Sequence, residues 1–287
     1  MAILRVENLT YTYDKTSPFI KDAVSDVSFS VEEGEILGII GHTGSGKSTL
    51  VQHLNGLLKP CDGKIFIENS DIWEKPKEIR KIRSKVGLVF QYPEYQLFEE
   101  TVFADIAFGP KNMGITGDEL TKRVYDTCNI IGVKPEYLEK SPFDLSGGEK
   151  RRVAIAGVMA MNPKIIVFDE PTAGLDPKGR QDVVEMIYNY RKATNATVII
   201  ISHSMEDMAV LADKLLVMNK GNLVMFDTTE NVFKRGDELR EIGLNVPIVT
   251  RVFEKLAKSG IKVPTDVFTV ERAVEVLMQI KGGGRNA

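Results

Sequence analysis

Residues 41–49 read Gly41-His42-Thr43-Gly44-Ser45-Gly46-Lys47-Ser48-Thr49, and no other stretch restricts the chain so strongly. Gly41, Gly44 and Gly46 let the backbone turn sharply and approach another group closely, because they lack Cβ. On one side lies Glu35-Ile-Leu-Gly-Ile-Ile40, an apolar run of strand length. On the other, Leu50, Val51, Leu54, Leu57 and Leu58 recur at helical spacing, with Gly56 and Pro60 as the stop. Strand, glycine loop and helix start in this order match the phosphate-binding pattern G-x-x-x-x-G-K-[ST]. Its N–H groups and the positive end of the helix face an anion. Lys47 can reach the β- and γ-phosphates of a nucleotide, and the Ser48 hydroxyl can ligate Mg2+. A glycine-rich turn carrying a surface lysine is the plain alternative, and the full pattern in the right setting argues against it.

A second chemical stretch follows far downstream. Lys164-Ile-Ile-Val-Phe-Asp169-Glu170 reads as a buried parallel strand that ends in two acids. At such a strand end, after a P-loop, Asp169 can hold Mg2+ through water and Glu170 can polarise an attacking water. Thr197-Val-Ile-Ile-Ile201 is a further apolar strand, and it ends at Ser202-His203-Ser204. His203 therefore sits where open α/β sheets bind ligands. The side chains of His42 and His53 read as structural.

Around these strands the pattern changes several times. Residues 3–9 and 24–31 read as strands, with a loop at Ser17-Pro18 between them. There Tyr13 can stack on a base, pack in a core or stand on the surface. Residues 63–68 and 86–90 are strand candidates, the latter running into Gln91. The basic stretch 75–85 has one apolar edge, Ile79 and Ile82, and reads as a helix with a solvated charged face rather than a nucleic-acid or lipid contact. Residues 92–160 form an inserted helical block, with helices near 100–107, 118–132 and 149–161 and breaks at Gly109-Pro110, Gly114, Gly117 and Pro135. In it, Leu145-Ser146-Gly147-Gly148-Glu149 opens a helix with Ser146 as its N-cap. A helix over 182–193 and a hairpin of 215–218 with 223–226 close the sheet.

From about residue 236 two short amphipathic helices are expected. The first carries Val249, Val252, Phe253 and Leu256, and the second Val270, Val274, Leu277 and Met278 before a stop at Gly282. They either dock on the core or meet another subunit. The tail from Gly282 is expected to be mobile.

Composition narrows the function. A chain of 287 residues with net charge −3 carries no global nucleic-acid signal. Its two cysteines, Cys61 and Cys128, form no CxxC pair, which fits a reducing compartment. No apolar run reaches the ~18 residues of a membrane span, and the first residues lack the form of a secretion signal. A membrane role would come through a partner.

The ordered set of motifs over about residues 1–230 resembles the ATP-binding cassette (ABC) ATPases, and LSGGE between a P-loop and a Walker B strand is specific to them. The resemblance implies an α/β fold. It has a P-loop ABC core of a RecA-like mixed sheet plus an antiparallel β subdomain, an inserted α-helical subdomain (about 92–160) and a small C-terminal helical domain (236–287) after a cassette of 1–235. It also implies ATP and Mg2+ as ligands. The nucleotide would lie between Gly41 to Thr49 of one chain and Ser146, Gly147, Gly148 and Glu149 of a second, homologous ATPase subunit, placed head to tail. Tyr13 would stack on adenine, Gln91 would touch Mg2+ and the water, Asp176 would cross the interface, and His203 would contact the γ-phosphate. Ala173 departs from the serine common at that place.

A narrower likeness rests on Phe90-Gln-Tyr-Pro-Glu-Tyr-Gln-Leu-Phe98, Ala107-Phe-Gly-Pro110, Gly41-His-Thr-Gly and Gln52-His-Leu-Asn-Gly-Leu-Leu-Lys-Pro60. These are similar to the energy-coupling factor (ECF) transporter ATPases, A-prime type. That implies a transmembrane coupling subunit, a substrate-binding membrane subunit, and a peripheral place on the cytoplasmic face of the cell membrane. The solute would be a vitamin or a transition-metal ion. The received helix of the scaffold would carry an arginine, with Glu94, Glu99 or Glu100 as its partner. A conventional ABC importer or a non-transport cassette is the alternative. A DNA-repair or translation ATPase would show a long coiled-coil insertion or two cassettes in one chain. A regulatory module without turnover fits poorly with Glu170 and His203 both present.

Overall fold

Apolar runs flanked by glycine and acid turns become strands, and the longer periodic stretches become helices. The computed structural model describes residues 2–13 and 22–283. The loop marked by Ser17-Pro18 and the tail from residue 284 lie outside the described residues. The chain opens with β1 (Ala2–Thr12), β2 (Asp22–Glu32), β3 (Ile36–Gly41) and α1 (Lys47–Leu54), then β4 (Asp62–Ile67), β5 (Ser70–Asp71), α2 (Ile79–Lys85) and β6 (Val86–Val89). The helical block holds α3 (Val102–Asn112), α4 (Gly117–Ile131) and α5 (Gly147–Met159). β7 (Ile165–Asp169), α6 (Pro177–Thr194), β8 (Thr197–Ile201), α7 (Met205–Leu211), β9 (Lys214–Asn219) and β10 (Asn222–Thr228) complete the cassette. After them come α8 (Thr229–Lys234), α9 (Gly236–Glu241), α10 (Ile248–Lys258) and α11 (Val270–Gly283).

Two sheets result. One is antiparallel, in the order β2-β1-β4-β5; the other runs β10-β9-β3-β8-β7-β6. In the second, β9, β3, β8, β7 and β6 are parallel and only β10 is antiparallel. The β9–β10 turn places Lys220 at φ 49° and Gly221 at φ 87°, as a two-residue hairpin requires.

Burial on both faces explains why the central parallel strands are apolar along nearly their whole length. Ile165, Val167, Ile199 and Ile201 face a core shared with β1, β2, β4 and α1, including Leu4, Val27, Ile65 and Leu50. Ile166, Phe168, Val198 and Ile200 face the opposite core, made with the helices. Burying each such side chain contributes about 1.5–3 kcal/mol, so a one-residue slip in register would cost the packing of both layers at once.

The helical segments depart from expectation in four places. First, α3 passes through Gly109-Pro110 instead of breaking there. Pro110 forgoes the bond its missing N–H would have made to the Ile106 carbonyl. Its carbonyl still accepts from Met113 and Ile115, at 3.0 and 3.1 Å. A Cβ on Gly109 would stand 2.6 Å from Met161 Cγ, so α5's extension packs into that gap. Second, α1 ends at Leu54, before Leu57 and Leu58. Third, α7, α8 and α9 are additional helices, and Leu239, Leu244 and Val246 join the main core. Fourth, α11 continues through Gly282, and it buries Ala273 and Val276 with Phe253 and Val267 rather than Val274, Leu277 and Met278.

Candidate functional site

Parallel registry brings the distant motifs to one edge. Ile39 pairs with Ile201, Asp169 with Ile201, and Val89 with Phe168. The loop after β3, the acids ending β7, Ser202-His203 after β8 and Gln91 after β6 therefore leave the sheet on the same side, where open α/β sheets place ligands.

The loop 41–46 is shaped by two glycines that admit no substitute. A Cβ on Gly41 would lie 2.3 Å from the Met218 carbonyl oxygen, and one on Gly46, at φ +101°, would lie 2.2 Å from the Ala23 carbonyl oxygen. Gly46 is also the N-cap of α1, so no side chain caps the helix, and its first turn carries no acid. That end is left to an anion. Lys47 is buried and folds back, its Nζ donating to the Gly41 and His42 carbonyls at 2.7 and 2.9 Å. Burial lowers its pKa, against the charges of Glu170 and Asp169 that raise it. Ser45 Oγ is buried without a hydrogen-bond partner among the described residues. Thr43, Gly44 and Ser48 are solvent-facing, and Thr49 is buried.

Across from the loop, Asp169 at the end of β7 faces Ser48 and Lys47, which both favour its charged form. Burial raises the Asp169 pKa, against Ser48 and Lys47. Glu170 stands at φ 54°, a strained backbone for this residue type, and its N–H is held by the Ile201 carbonyl at 3.0 Å. Its carboxyl is pushed up to about 7, first by burial and then by Asp169, with Lys47 opposing. His203 Nε2 lies 2.8 Å from Glu170 Oε1. The His203 pKa is lowered, mainly by burial and then by Lys47, which disfavours the charged imidazolium beside Glu170. A carboxyl poised near neutrality can accept a proton and return it.

Tyr13 is 61% exposed, which leaves its ring face open. Its hydroxyl lies 3.0 Å from Thr49 Oγ1, and its ring meets the edge of Tyr11 at 5.0 Å. Tyr11 rests in turn on His53, which is fully buried and donates from Nδ1 to the Thr49 carbonyl at 2.7 Å. The open ring is thus mounted on the P-loop helix.

The signature segment stands apart. Ser146 donates its N–H and its hydroxyl to Glu149 Oε2, at 2.9 and 2.7 Å, and Tyr137 donates to Glu149 Oε1 at 2.7 Å. These bonds pull the Glu149 pKa down to about 2. Positions 147 and 148 have open space where a Cβ would point. Among the described residues no hydrogen bond joins Ser146–Glu149 to residues 41–49. Asp176 is exposed and caps α6 by accepting from the Gly179 N–H at 2.8 Å.

Two functional contacts were not foreseen. Glu94 is not free to meet a scaffold arginine, because Arg151 already holds both its oxygens. Arg151 also donates to the Ala173 carbonyl at 3.0 Å. Its position was readable in part: it precedes Ile155 by four and Met159 by eight, on the buried stripe of α5. The other is His42, whose ring reaches the Ile242 carbonyl. No local pattern signals that contact.

Comparison with known proteins gives the same answer as the geometry. A model of the ABC transporter family matches residues 24–173. The energy-coupling factor transporter ATP-binding protein EcfA2 of Caldanaerobacter subterraneus subsp. tengcongensis is 50% identical over 283 residues, 99% of each chain. Its namesake in Clostridium tetani is 51% identical over 278 residues, 96% of each chain. Among solved structures, cbiO1 of Clostridium perfringens, part of the ABC transporter complex cbiONQ, superposes with a TM-score of 0.76 at 36% identity, covering 88% of this chain and 99% of that one. A dimeric ATP-binding cassette in a post-hydrolysis state with ADP and Pi superposes at 0.70 with 28% identity, covering 79% and 98%. Half identity along nearly the whole length extends the likeness past the cassette into the terminal helices, and the chain belongs to the energy-coupling factor transporter ATP-binding proteins of the ABC transporter family.

Proposed function

We propose that this chain is the ATP-hydrolysing subunit of an energy-coupling importer for vitamins or transition-metal ions, acting at the cytoplasmic face of the cell membrane. The observation that carries the reading is the convergence of Lys47, Ser48, Asp169, Glu170 and His203 at one sheet edge. Among the described residues no helix is long and apolar enough to cross a membrane.

The residues fit a magnesium nucleotide. Mg2+ favours hard oxygen ligands and keeps water and phosphate in its shell. Ser48 and Asp169 face each other, and with Gln91 they would hold the ion. When bound, it would neutralise charge on the phosphates. Lys47 would leave its own loop carbonyls for the β- and γ-phosphates. Glu170 would take the proton of the attacking water, and His203 would orient the γ-phosphate. Tyr13 would carry the adenine. Phosphoryl transfer needs little more than this positioning and charge neutralisation.

Completion of the site falls to a second, homologous ATPase subunit. Ser146, Gly147 and Gly148 present a helix start with open space before it, and Asp176 is exposed beside them, so both suit a nucleotide held by the partner. For the membrane side, a groove of about 770 Å³ runs between α2, α3 and α5, lined by Phe98, Phe108, Met113 and Met161 with Arg80 and Arg83 at its rim. A helix of the transmembrane coupling subunit would lie in it.

The experiment is a nucleotide titration with phosphate release, on the chain co-expressed with its membrane subunits. Wild type should bind and hydrolyse ATP and co-purify from solubilised membranes. Lys47→Ala should bind little or none, and near-normal ATP affinity in that variant would overturn the site.

A further inference from the structure

The P-loop is tied to the far end of the chain. His42 Nε2 lies 2.9 Å from the Ile242 carbonyl oxygen. A carbonyl only accepts, so the proton is on Nε2 and the imidazole donates. The ring sits directly on Gly243, where an added Cβ would stand 2.6 Å from Nε2. Gly243, at φ +78°, ends α9: its N–H bonds the Arg240 carbonyl, and that of Leu244 bonds Leu239, at 2.9 and 2.8 Å. Arg240 holds Glu254 of α10 through Nη2, at 2.7 and 2.6 Å. A continuous path thus runs from the P-loop through the end of α9 into the terminal helices.

The same residue touches the phosphate-binding lysine. The His42 carbonyl accepts from Lys47 Nζ at 2.9 Å. A phosphate that draws the ammonium away frees this carbonyl and lets residue 42 shift, with its ring anchored on Ile242. We infer that His42 is a positioning residue that couples nucleotide occupancy of the P-loop to the α9–α10 segment, an inference that rests on reading 41–49 as the nucleotide site. Nucleotide binding displaces or tightens the α9 end, and the α9 end in turn sets nucleotide affinity, because coupling between two sites is reciprocal.

The test perturbs the contact from its distal side in the full-length chain. Gly243→Asn keeps a residue that tolerates the left-handed backbone while placing a side chain where the His42 ring rests. It should weaken ATP binding by about threefold or more, and this effect should vanish when His42 is alanine, since groups in contact are not additive. The same factor in both backgrounds would overturn the coupling. Amide exchange over residues 239–246 gives a second readout. Adding ATP should change protection there in wild type and in His42→Gln, whose amide can donate to the same carbonyl, and not in His42→Ala. Equal responses in wild type and His42→Ala would also overturn it. Wild-type protein that binds no ATP would remove the nucleotide site and the coupling together, whereas normal binding with additive variants removes the coupling alone.

Discussion

Arg151 and Glu94 form a two-pronged pair, Nε to Oε2 at 3.0 Å and Nη2 to Oε1 at 3.3 Å, with the two side chains only 4% and 19% exposed. Arg151 lies on the helix that the signature opens, and Glu94 lies three residues after Gln91. The third guanidinium bond, to Ala173, reaches the segment just past Glu170. One side chain therefore joins the signature helix, the segment after Gln91 and the segment after Glu170.

Arg151→Ala strips these bonds and leaves a half-buried carboxylate without its partner. Breaking such a pair from one side typically costs about 3 kcal/mol. We expect that loss in urea unfolding, together with reduced ATP turnover. A loss below about 1 kcal/mol, the scale of an exposed pair, would show that water replaces the guanidinium.

Glu170→Gln keeps the shape and the His203 contact while removing the proton acceptor. General-base catalysis is typically worth ~10²–10⁴ in rate, so hydrolysis should fall into that range with ATP still bound. Phosphate release measured beside nucleotide retention separates the two effects. A fall below about tenfold would assign the base elsewhere.

Ser146→Arg places a bulky cation at the open helix start. The variant's own P-loop should still bind ATP in a direct titration, while hydrolysis by the assembled pair fails. Loss of ATP binding by the isolated chain would contradict a signature that serves the partner's nucleotide.

Phe98→Asp addresses the groove. Phe98 is exposed and meets Phe108 edge-on at 4.9 Å, so it forms part of the groove wall without carrying the core. Nucleotide binding should persist, and co-purification with the transmembrane subunit should drop. Glu94→Lys would be a poor probe of docking, because it sets a lysine against Arg151. A Phe98→Asp chain that still co-purifies would place the scaffold contact on another surface.

Local chemistry was legible wherever neighbours in sequence act together. The P-loop, the acid pair at the end of β7, the Ser146 helix start and the apolar parallel strands all follow from spacing, because helix starts and strand periods are set within a few residues. Helix ends were less legible. Pro110 sits inside α3 because Met161 fills the space beside Gly109, a contact between two helices that no local preference reports. Two short helices, α8 and α9, are held by Leu239 and Val232 in a core built from remote strands, and neither is long enough to announce itself by period.

The chemistry this chain carries is written in its local patterns: a lysine, a hydroxyl, two acids and a histidine at the ends of apolar strands. Which of these groups meet depends on packing between distant segments. Parallel registry put Glu170 against His203, burial moved the Glu170 carboxyl to about 7, and folding of the helical block gave Glu94 to Arg151 rather than to solvent. It also set His42 on Ile242, 200 positions away. Long-range contacts of this kind are chosen by the packing of whole layers, and a pattern read over a few residues holds no trace of them.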